Sequence, residues 1–535
     1  MQKLFLFAIG GTGERVLRSF TMLLAAGVPT FDNYEVYPII VDYDTKNKDK
    51  ERTVQLLQNY ADIHRAAFER HGSETQSRQF FAPKLTNLPG LQNYIFPFHP
   101  ANKDEKFSDY IGYGKFTKDT LRTQQLLTSL YDKSNRADTE LNLNMEVGFR
   151  GNPNIGSVVF HTISSTDEFS AFNARFQPDS GDKVVIIGSL FGGTGASGIP
   201  EITKAINQQR PNAKIATIQV LPYFAPAEQR GGAIKASRFN SKTKAALSYY
   251  QNSGLLDKID KVYYVGDPYP TVIPYCEGGE GQKNNANLVE LIASMMIEHF
   301  VDGRDAQKKE FKFSLPTNIA VQNGQQSGQR LFMFNFDDTS IDRVLKHLAE
   351  LAIALKLFHD EIKTGKAKNK DFYKYLNLSN VRYENKNRDN DNDALGKLCN
   401  SLDQFHTRYQ DWLKELDYEG NGDAQPANSH RFALCDMTLS YSDIILKEAK
   451  PATDEENASF FKQMKHYGMS IMNENSNKLN ANYLLTRMNN HIKNGKNNNG
   501  HYDIMKNQLR VGHEPEWVLA DILHLAAIDG LGQLF

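Results

Sequence analysis

The stretch Gly192-Gly193-Thr194-Gly195-Ala196-Ser197-Gly198 follows the apolar run Val184-Val185-Ile186-Ile187 and leads into Ile199-Pro200-Glu201-Ile202. A buried strand that feeds a glycine loop at the start of a helix is suited to holding a phosphate. Glycines let the backbone approach an anion and take positive φ, and the free N–H groups of the first helical turn point at the ligand. Thr194 and Ser197 add hydroxyl donors, and Pro200 is expected in the first turn of the helix, where its missing N–H costs nothing. The same pattern also arises where a sheet packs closely on a helix, so this loop alone leaves both readings open.

A second loop, Gly10-Gly11-Thr12-Gly13, sits between an apolar run and a helical pattern near the start of the chain. Two such loops on adjacent strands could grip one nucleotide. A dinucleotide site is the alternative: G-x-G-x-x-G starting at Gly11 has Gly13 in register but Val16 at the third glycine, while Asp42 at the end of the second strand could hold a ribose. A third element, Gly148-Phe149-Arg150-Gly151-Asn152-Pro153-Asn154-Ile155-Gly156, has the residues of a fixed turn and reads equally as a surface loop.

The elements that must position these loops alternate. Leu4 to Ile9, Val36 to Val41, Val184 to Leu190, Ile215 to Leu221 and Val262 to Val265 read as strands, with a helix from Glu14 to Ala26 between the first two. Such alternation argues for an α/β fold, a mostly parallel sheet flanked by helices. Asn287 to Asp302 is apolar nearly all round, as a buried central helix must be, and Asn287 with Glu290 makes a capping-box start. The segment from Asp44 to Gly148 lacks clear periodicity apart from a helical pattern around Lys118 to Asp132, and reads as an insertion at about 50–140. Beyond Lys308, helical patterns at Ile341 to Thr364, Leu402 to Leu416 and Glu514 to Ala527 alternate with polar stretches. The expected organisation is a nucleotide-binding domain over 1–284, a central helix over 285–305, and a largely helical or α+β C-terminal domain over 306–535.

Composition narrows the partners. With 535 residues, 40% hydrophobic and 23% charged, the chain can bury a large core. A formal net charge of −1 gives no global attraction to nucleic acid or an anionic membrane. The three cysteines, Cys276, Cys399 and Cys435, show no disulfide or zinc spacing, and no run is long and apolar enough for a membrane span, so a reducing, cytoplasmic setting is expected. Lys3 to Ile9 runs straight into the glycine loop and reads as a first strand rather than a signal peptide.

Taken in order, Gly10 to Gly13, Val41-Asp42-Tyr43-Asp44, Gly148 to Gly156 and Gly192 to Gly198 resemble the four phosphate-contacting loops of the tubulin/FtsZ superfamily. The resemblance spans roughly residues 1 to 305 and is closer to divergent bacterial tubulin-like proteins than to division FtsZ. It implies GTP or GDP with Mg2+ as cofactors, Gly11, Thr12 and Gly13 near the phosphates, and Asp44 near the metal. Gly151 and Asn152 would meet the terminal phosphate, and Gly193, Thr194, Gly195 and Ala196 the phosphate chain. Pro222-Tyr223-Phe224 resembles the segment after the family's fifth strand, which implies Glu228 and Arg230 near the ribose, and Asn285 or Asn287 would read the base. The chain departs from the pattern at Ala196-Ser197-Gly198 and at Gly266, where the family has asparagine.

The family also implies a GTPase completed in trans, an acidic loop after the central helix of one subunit reaching the nucleotide of the next, and hence head-to-tail cytoplasmic filaments. Its N-x-D-x-x-D pattern is missing; Asp302-Gly303-Arg304-Asp305 places Asp302 and Asp305 at the right distance, and Asn335-Phe336-Asp337-Asp338 with Asp342 is a second candidate. A solvated acidic helix end accounts for either set equally well. The missing pattern motivates a different expectation, a non-polymerising nucleotide-dependent switch or scaffold that binds a partner protein through the 50–140 insertion or the C-terminal part. Asp389 to Asp393 imitates a calcium loop but has Ala394 where the sharp-turn glycine belongs, and His347 and His359 lack a third metal ligand. Lys363 to Lys370 reads as a solvated helix end or loop.

Overall fold

A computed structural model describes residues 1–44, 47–69, 79–97, 106–117, 120–131, 140–145, 149, 151–227, 234–267, 271–274, 276, 279–314, 318–322, 325–329, 338–381, 394–416, 435, 437, 480–493 and 515–531. The first strand, β1 (Gln2–Ile9), carries an unbroken apolar run and is buried on both faces, as a strand inside a parallel sheet must be. It is followed by α1 (Gly10–Ala25), β2 (Tyr34–Val41), α2 (Lys48–Phe68) and a short β3 (Lys84–Leu85). Then come α3 (Pro153–Phe160), β4 (Lys183–Ser189), α4 (Gly193–Gln209), β5 (Lys214–Val220), α5 (Phe239–Asn252) and β6 (Lys261–Gly266). The central helix α6 (Leu288–Asp302) leads to a last strand β7 (Glu310–Ser314), and α7 (Asp338–Leu357), α8 (Ala394–Leu416), α9 (Ala481–Lys493) and α10 (Pro515–Leu531) form the mostly helical C-terminal region.

The strands form one sheet in the order β3-β2-β1-β4-β5-β6-β7, every neighbouring pair parallel. Successive side chains of a strand point to opposite faces, and β1 splits accordingly. Leu4, Leu6 and Ala8 pack with α1, α2, α6 and the C-terminal helices, whereas Phe5, Phe7 and Ile9 pack with α3, α4 and Tyr250 of α5. The helices that follow β1 and β4 therefore lie on opposite faces of the sheet. Between those two strands the chain direction across the sheet reverses, which opens a crevice at the carboxyl ends of the strands.

Three local differences from the sequence patterns have physical causes. Within 44–148, α2 completes an ordinary strand–helix–strand unit. Its polar sequence hides it, because Asp49, Lys50 and Asn59 are buried only by virtue of partners elsewhere in the fold. The strand Glu310–Ser314, beyond the central helix, extends the same sheet by pairing with β6. Pro200 lies inside α4 rather than in its first turn, since the helix already begins at Gly193. A proline there removes the bond to the carbonyl four residues back, Ala196. The buried Tyr250 hydroxyl donates to that oxygen at 2.8 Å.

The C-terminal helices close over α1 and α2. Trp412 of α8 donates its indole N–H to Ser19 Oγ at 3.2 Å, and Glu415 accepts from Arg18, Arg52 and the Ala286 backbone N–H. Among the described residues, no helix is long and apolar enough to cross a membrane.

The Tyr250 bond generates a test. Tyr250→Phe keeps the ring but leaves the Ala196 carbonyl buried without a donor, and should lower unfolding stability by about 1–3 kcal/mol, read from the midpoint of urea denaturation. An unchanged midpoint would mean that the carbonyl finds another partner.

Candidate functional site

The crevice between β1 and β4 is a cleft with a volume of about 160 Å³. Its floor is made by the starts of α1 and α4. The residues before them, Ile9 and Gly192, offer no capping side chain, so the first-turn N–H groups keep their capacity to bind an anion. The close approach is enforced by sterics at two glycines. A Cβ on Gly13 would lie 2.7 Å from the Ala8 carbonyl carbon and 2.9 Å from Ile187 O, and one on Gly193 would lie 2.9 Å from Asn152 N and 3.1 Å from Gly151 N. The first glycine lets α1 settle onto the sheet; the second lets the 151–152 turn meet the start of α4.

One side of the cleft is acidic. Asp42 and Asp44 follow β2, and the Asp44 carboxylate accepts the Gly279 N–H at 2.6 Å. Asn47 donates to Asp42 at 3.2 Å and to Glu14 at 3.0 Å, while Lys50 donates to the Asp44 carbonyl. Burial, together with the neighbouring Asp42 charge, holds the Glu14 carboxyl well above the usual carboxylate range. Burial likewise raises Asp42, partly offset by Lys50. One Glu14 oxygen, Oε1, has no hydrogen-bond partner. A single cation bound through one or two carboxylates and substrate oxygens is the arrangement such a wall suits. Among the described residues, no group of three or more His, Cys, Asp or Glu side chains forms a metal cluster.

Behind the floor lies Arg15, 2% exposed. Its guanidinium donates to Glu290 Oε1 at 2.6 Å, Asp49 Oδ2 at 2.9 Å, Tyr223 Oη at 2.7 Å and Thr12 Oγ1 at 3.4 Å. Tyr223 in turn donates to Glu290 Oε1 at 2.6 Å, and the other Glu290 oxygen accepts the Asn287 N–H at 3.0 Å. Although burial disfavours its charge, the interactions with Tyr223, Glu290 and Asp49 outweigh it and raise the arginine's pKa. Asp49 also accepts from the Asn284 backbone and side chain, so the segment leading into α6 hangs on the same network.

The opposite wall is aromatic. Phe191 packs on Phe239 at 4.8 Å and edge-on to Phe224 at 5.3 Å, and the Arg15 guanidinium lies 5.5 Å from the Phe224 ring centroid. Lys242 of α5 reaches the cleft and donates to the Gly151 carbonyl at 2.6 Å. The cleft thus joins backbone N–H donors, a carboxylate pair, a lysine and flat apolar faces, a combination suited to a phosphorylated ligand with a ring.

Of the residues singled out in the sequence, Gly10, Gly11, Thr12, Asp42, Asp44, Gly151, Gly192, Gly193, Thr194 and Gly195 line this cleft together. Gly13, Ala196 and Ser197 lie buried beneath it, and the Ser197 hydroxyl donates back to the Gly193 and Thr194 carbonyls. Asn152 borders it from the 151–152 turn, its side chain donating to the Phe149 carbonyl at 3.1 Å. Asn285 is exposed, and Asn287 caps α6 through Val289 N and the reciprocal bond to Glu290. Asp302 and Asp305 stand at the far end of α6, a 15-residue helix about 22 Å long. There Asp302 pairs with Arg304 at 2.6 Å and Asp305 with His299 at 3.2 Å. Gly148, Arg150, Glu228, Arg230, the Asn335 to Asp337 stretch and the Asp389 to Asp393 run lie outside the described residues. His347 and His359 bind Glu350 and Asp403.

The sequence patterns passed over Arg15, Lys242, Gln282 and Asn284, all of which line the cleft. Arg15 left one signal, a charge inside a helix whose sequence is otherwise rich in apolar residues. Lys242 left none.

No family model matches the sequence, and no curated protein matches it. Among solved structures the chain is similar to CetZ from Methanosaeta thermophila strain DSM 6194, at 12% identity over 58% of this chain and 56% of that one, with a TM-score of 0.28. It is also similar to the UDP-Glc/GlcNAc 4-epimerase from the human pathogen Campylobacter jejuni, at 12% identity over 76% and 100%, with a TM-score of 0.21. The chain spans little more than half the length of CetZ, and the similarity is weak and partial.

Two outcomes follow from the buried charges. Arg15→Met strands Glu290 and Asp49 without their cation and should cost about 3–5 kcal/mol of stability; adding Glu290→Gln should recover part of that loss in the same denaturant titration. For Glu14, a raised pKa in the fold means that its stability contribution is present at acid pH and lost as pH rises through the folded-state value. Glu14→Gln should therefore match the wild type below the ordinary carboxylate range and become the more stable protein toward neutral pH, as read by melting temperature against pH. Parallel curves would refute the raised pKa.

Proposed function

We propose that this protein binds a guanine nucleotide, GTP or GDP, with Mg2+ in the cleft between β1 and β4, and that it is a tubulin-like GTPase assembling head to tail. The observation that carries the reading is the meeting of two uncapped helix starts, from opposite faces of the sheet, at the point where strand order reverses. A phosphate chain fits that floor because the donors are fixed backbone groups. The base would lie against Phe224 and Phe239, with Gln282 and Asn284 within the same cleft to read its edge. Asp42 and Asp44 are the residues that would hold the metal, which when bound neutralises phosphate charge.

Hydrolysis and assembly are linked in this reading by distance. Asp302 and Asp305 lie too far along α6 to reach the nucleotide of their own subunit, so they could act only on that of a neighbour. A contact between unlike faces repeats into a filament when its rotation does not close. The ion pairs of both acids within their own chain favour a second reading, a nucleotide-dependent switch or scaffold that binds a partner protein without polymerising.

The deciding measurement is the nucleotide content of purified protein together with sedimentation in GTP, GDP and NAD. Guanine nucleotide in the cleft and GTP-dependent pelleting support the filament; guanine nucleotide with no pelleting supports the switch. Retention of NAD instead would replace both with a dinucleotide site. Asp302→Ala with Asp305→Ala should abolish GTP turnover while binding persists, and unchanged turnover would remove these acids from the reaction.

A further inference from the structure

Lys242 has an electrostatic position unlike that of the other basic groups at the cleft. Arg15 is neutralised by Asp49 and Glu290 at hydrogen-bond distance. Lys50 lies amid the carboxylates of Glu14 and Asp42, whose charges it offsets. Lys242 has no carboxylate within ion-pair distance among the described residues, and its bond is to a neutral carbonyl, Gly151 O. An ammonium has three donors, so this bond leaves others for a ligand. The group is partly buried, which lowers its pKa, and Arg238 nearby lowers it further, a fall that the more distant Glu140 carboxylate offsets only in part. A cation held in such surroundings with no carboxylate at ion-pair distance is stabilised when an anion arrives.

Its place in the cleft says which anion. The lysine is tied to Gly151, and the 151–152 turn in turn abuts Gly193 at the start of α4. The N–H groups of α1 and α4 offer partial charges, adequate for a diphosphate, whereas a terminal phosphate adds a further full charge that fixed dipoles alone meet poorly. Lysine supplies a point charge on a flexible stem that can follow that group.

We propose that Lys242 contacts the terminal phosphate of the bound nucleotide and is the residue that distinguishes tri- from diphosphate. This rests on the nucleotide reading above. When the ammonium bonds the terminal phosphate and keeps Gly151 O, it ties the turn at 151–152 to the ligand; with a diphosphate it bonds the turn alone.

The test is calorimetric titration of the full-length protein with a slowly hydrolysed GTP analogue and with GDP, in wild type, Lys242→Met and Lys242→Arg. Lys242→Met should weaken the triphosphate analogue tenfold to a hundredfold and GDP less than threefold, and Lys242→Arg should restore most of the difference. Equal weakening of both ligands, with unchanged melting temperature, would reduce Lys242 to a support for the 151–152 turn and overturn the proposal while leaving nucleotide binding intact. No change with either ligand would overturn it as well. Wild-type protein that binds neither ligand would overturn the nucleotide reading itself, a result distinct from both.

Discussion

A guanidinium buried among two carboxylates and a phenol ties this structure together. Arg15 joins α1 to α2 through Asp49, to the central helix through Glu290, and to the segment after β5 through Tyr223. An ion this deeply buried is tolerable only when its donors are met by well-placed acceptors, because desolvation otherwise outweighs the attraction. The demand runs both ways. Glu290 and Asp49 need the arginine as much as it needs them, so the elements carrying them have one compatible arrangement. Glu290 also completes the cap of α6, which couples the entry of that helix to the network.

The cleft owes its form to that constraint and to sheet topology. Helices following β1 and β4 leave on opposite sides, and both starts point toward the gap between the strands. Arg15 holds the floor of one of those starts from behind, and Gly13 and Gly193 allow backbone to meet backbone. The result is a set of donors that need no rearrangement to receive an anion. Beside them stand the Glu14 and Asp42 carboxylates, their pKa values raised by burial against the opposing charge of Lys50 and their positions bridged by Asn47.

The α/β class and the buried central helix with its Asn287–Glu290 cap were legible in the residues, because each depends on neighbours a few positions apart. Apolar runs of strand length and glycine loops are local signals of this kind. Pro200 shows the limit even of local reading: its place in α4 depends on where the helix starts, and the Ala196 carbonyl that it leaves without a donor is met by Tyr250, 54 residues from Ala196. The helix α2 was hidden for a similar reason, since its buried polar residues look like surface residues until Arg15 and Asn284 are brought to Asp49.

By itself the sequence determined that glycine loops follow apolar strands in a given order and that a helix apolar on all sides runs through the core. Only the tertiary structure decided which loops share a cleft and which charged residues enter it. Strand and cap patterns arise from interactions over a turn or two of chain, whereas Arg15 and Glu290 are 275 residues apart and Lys242 and Gly151 are 91 apart. Charges at such separation acquire meaning only when packing has removed water from around them, since the same groups in an open chain would be solvated and indifferent to one another.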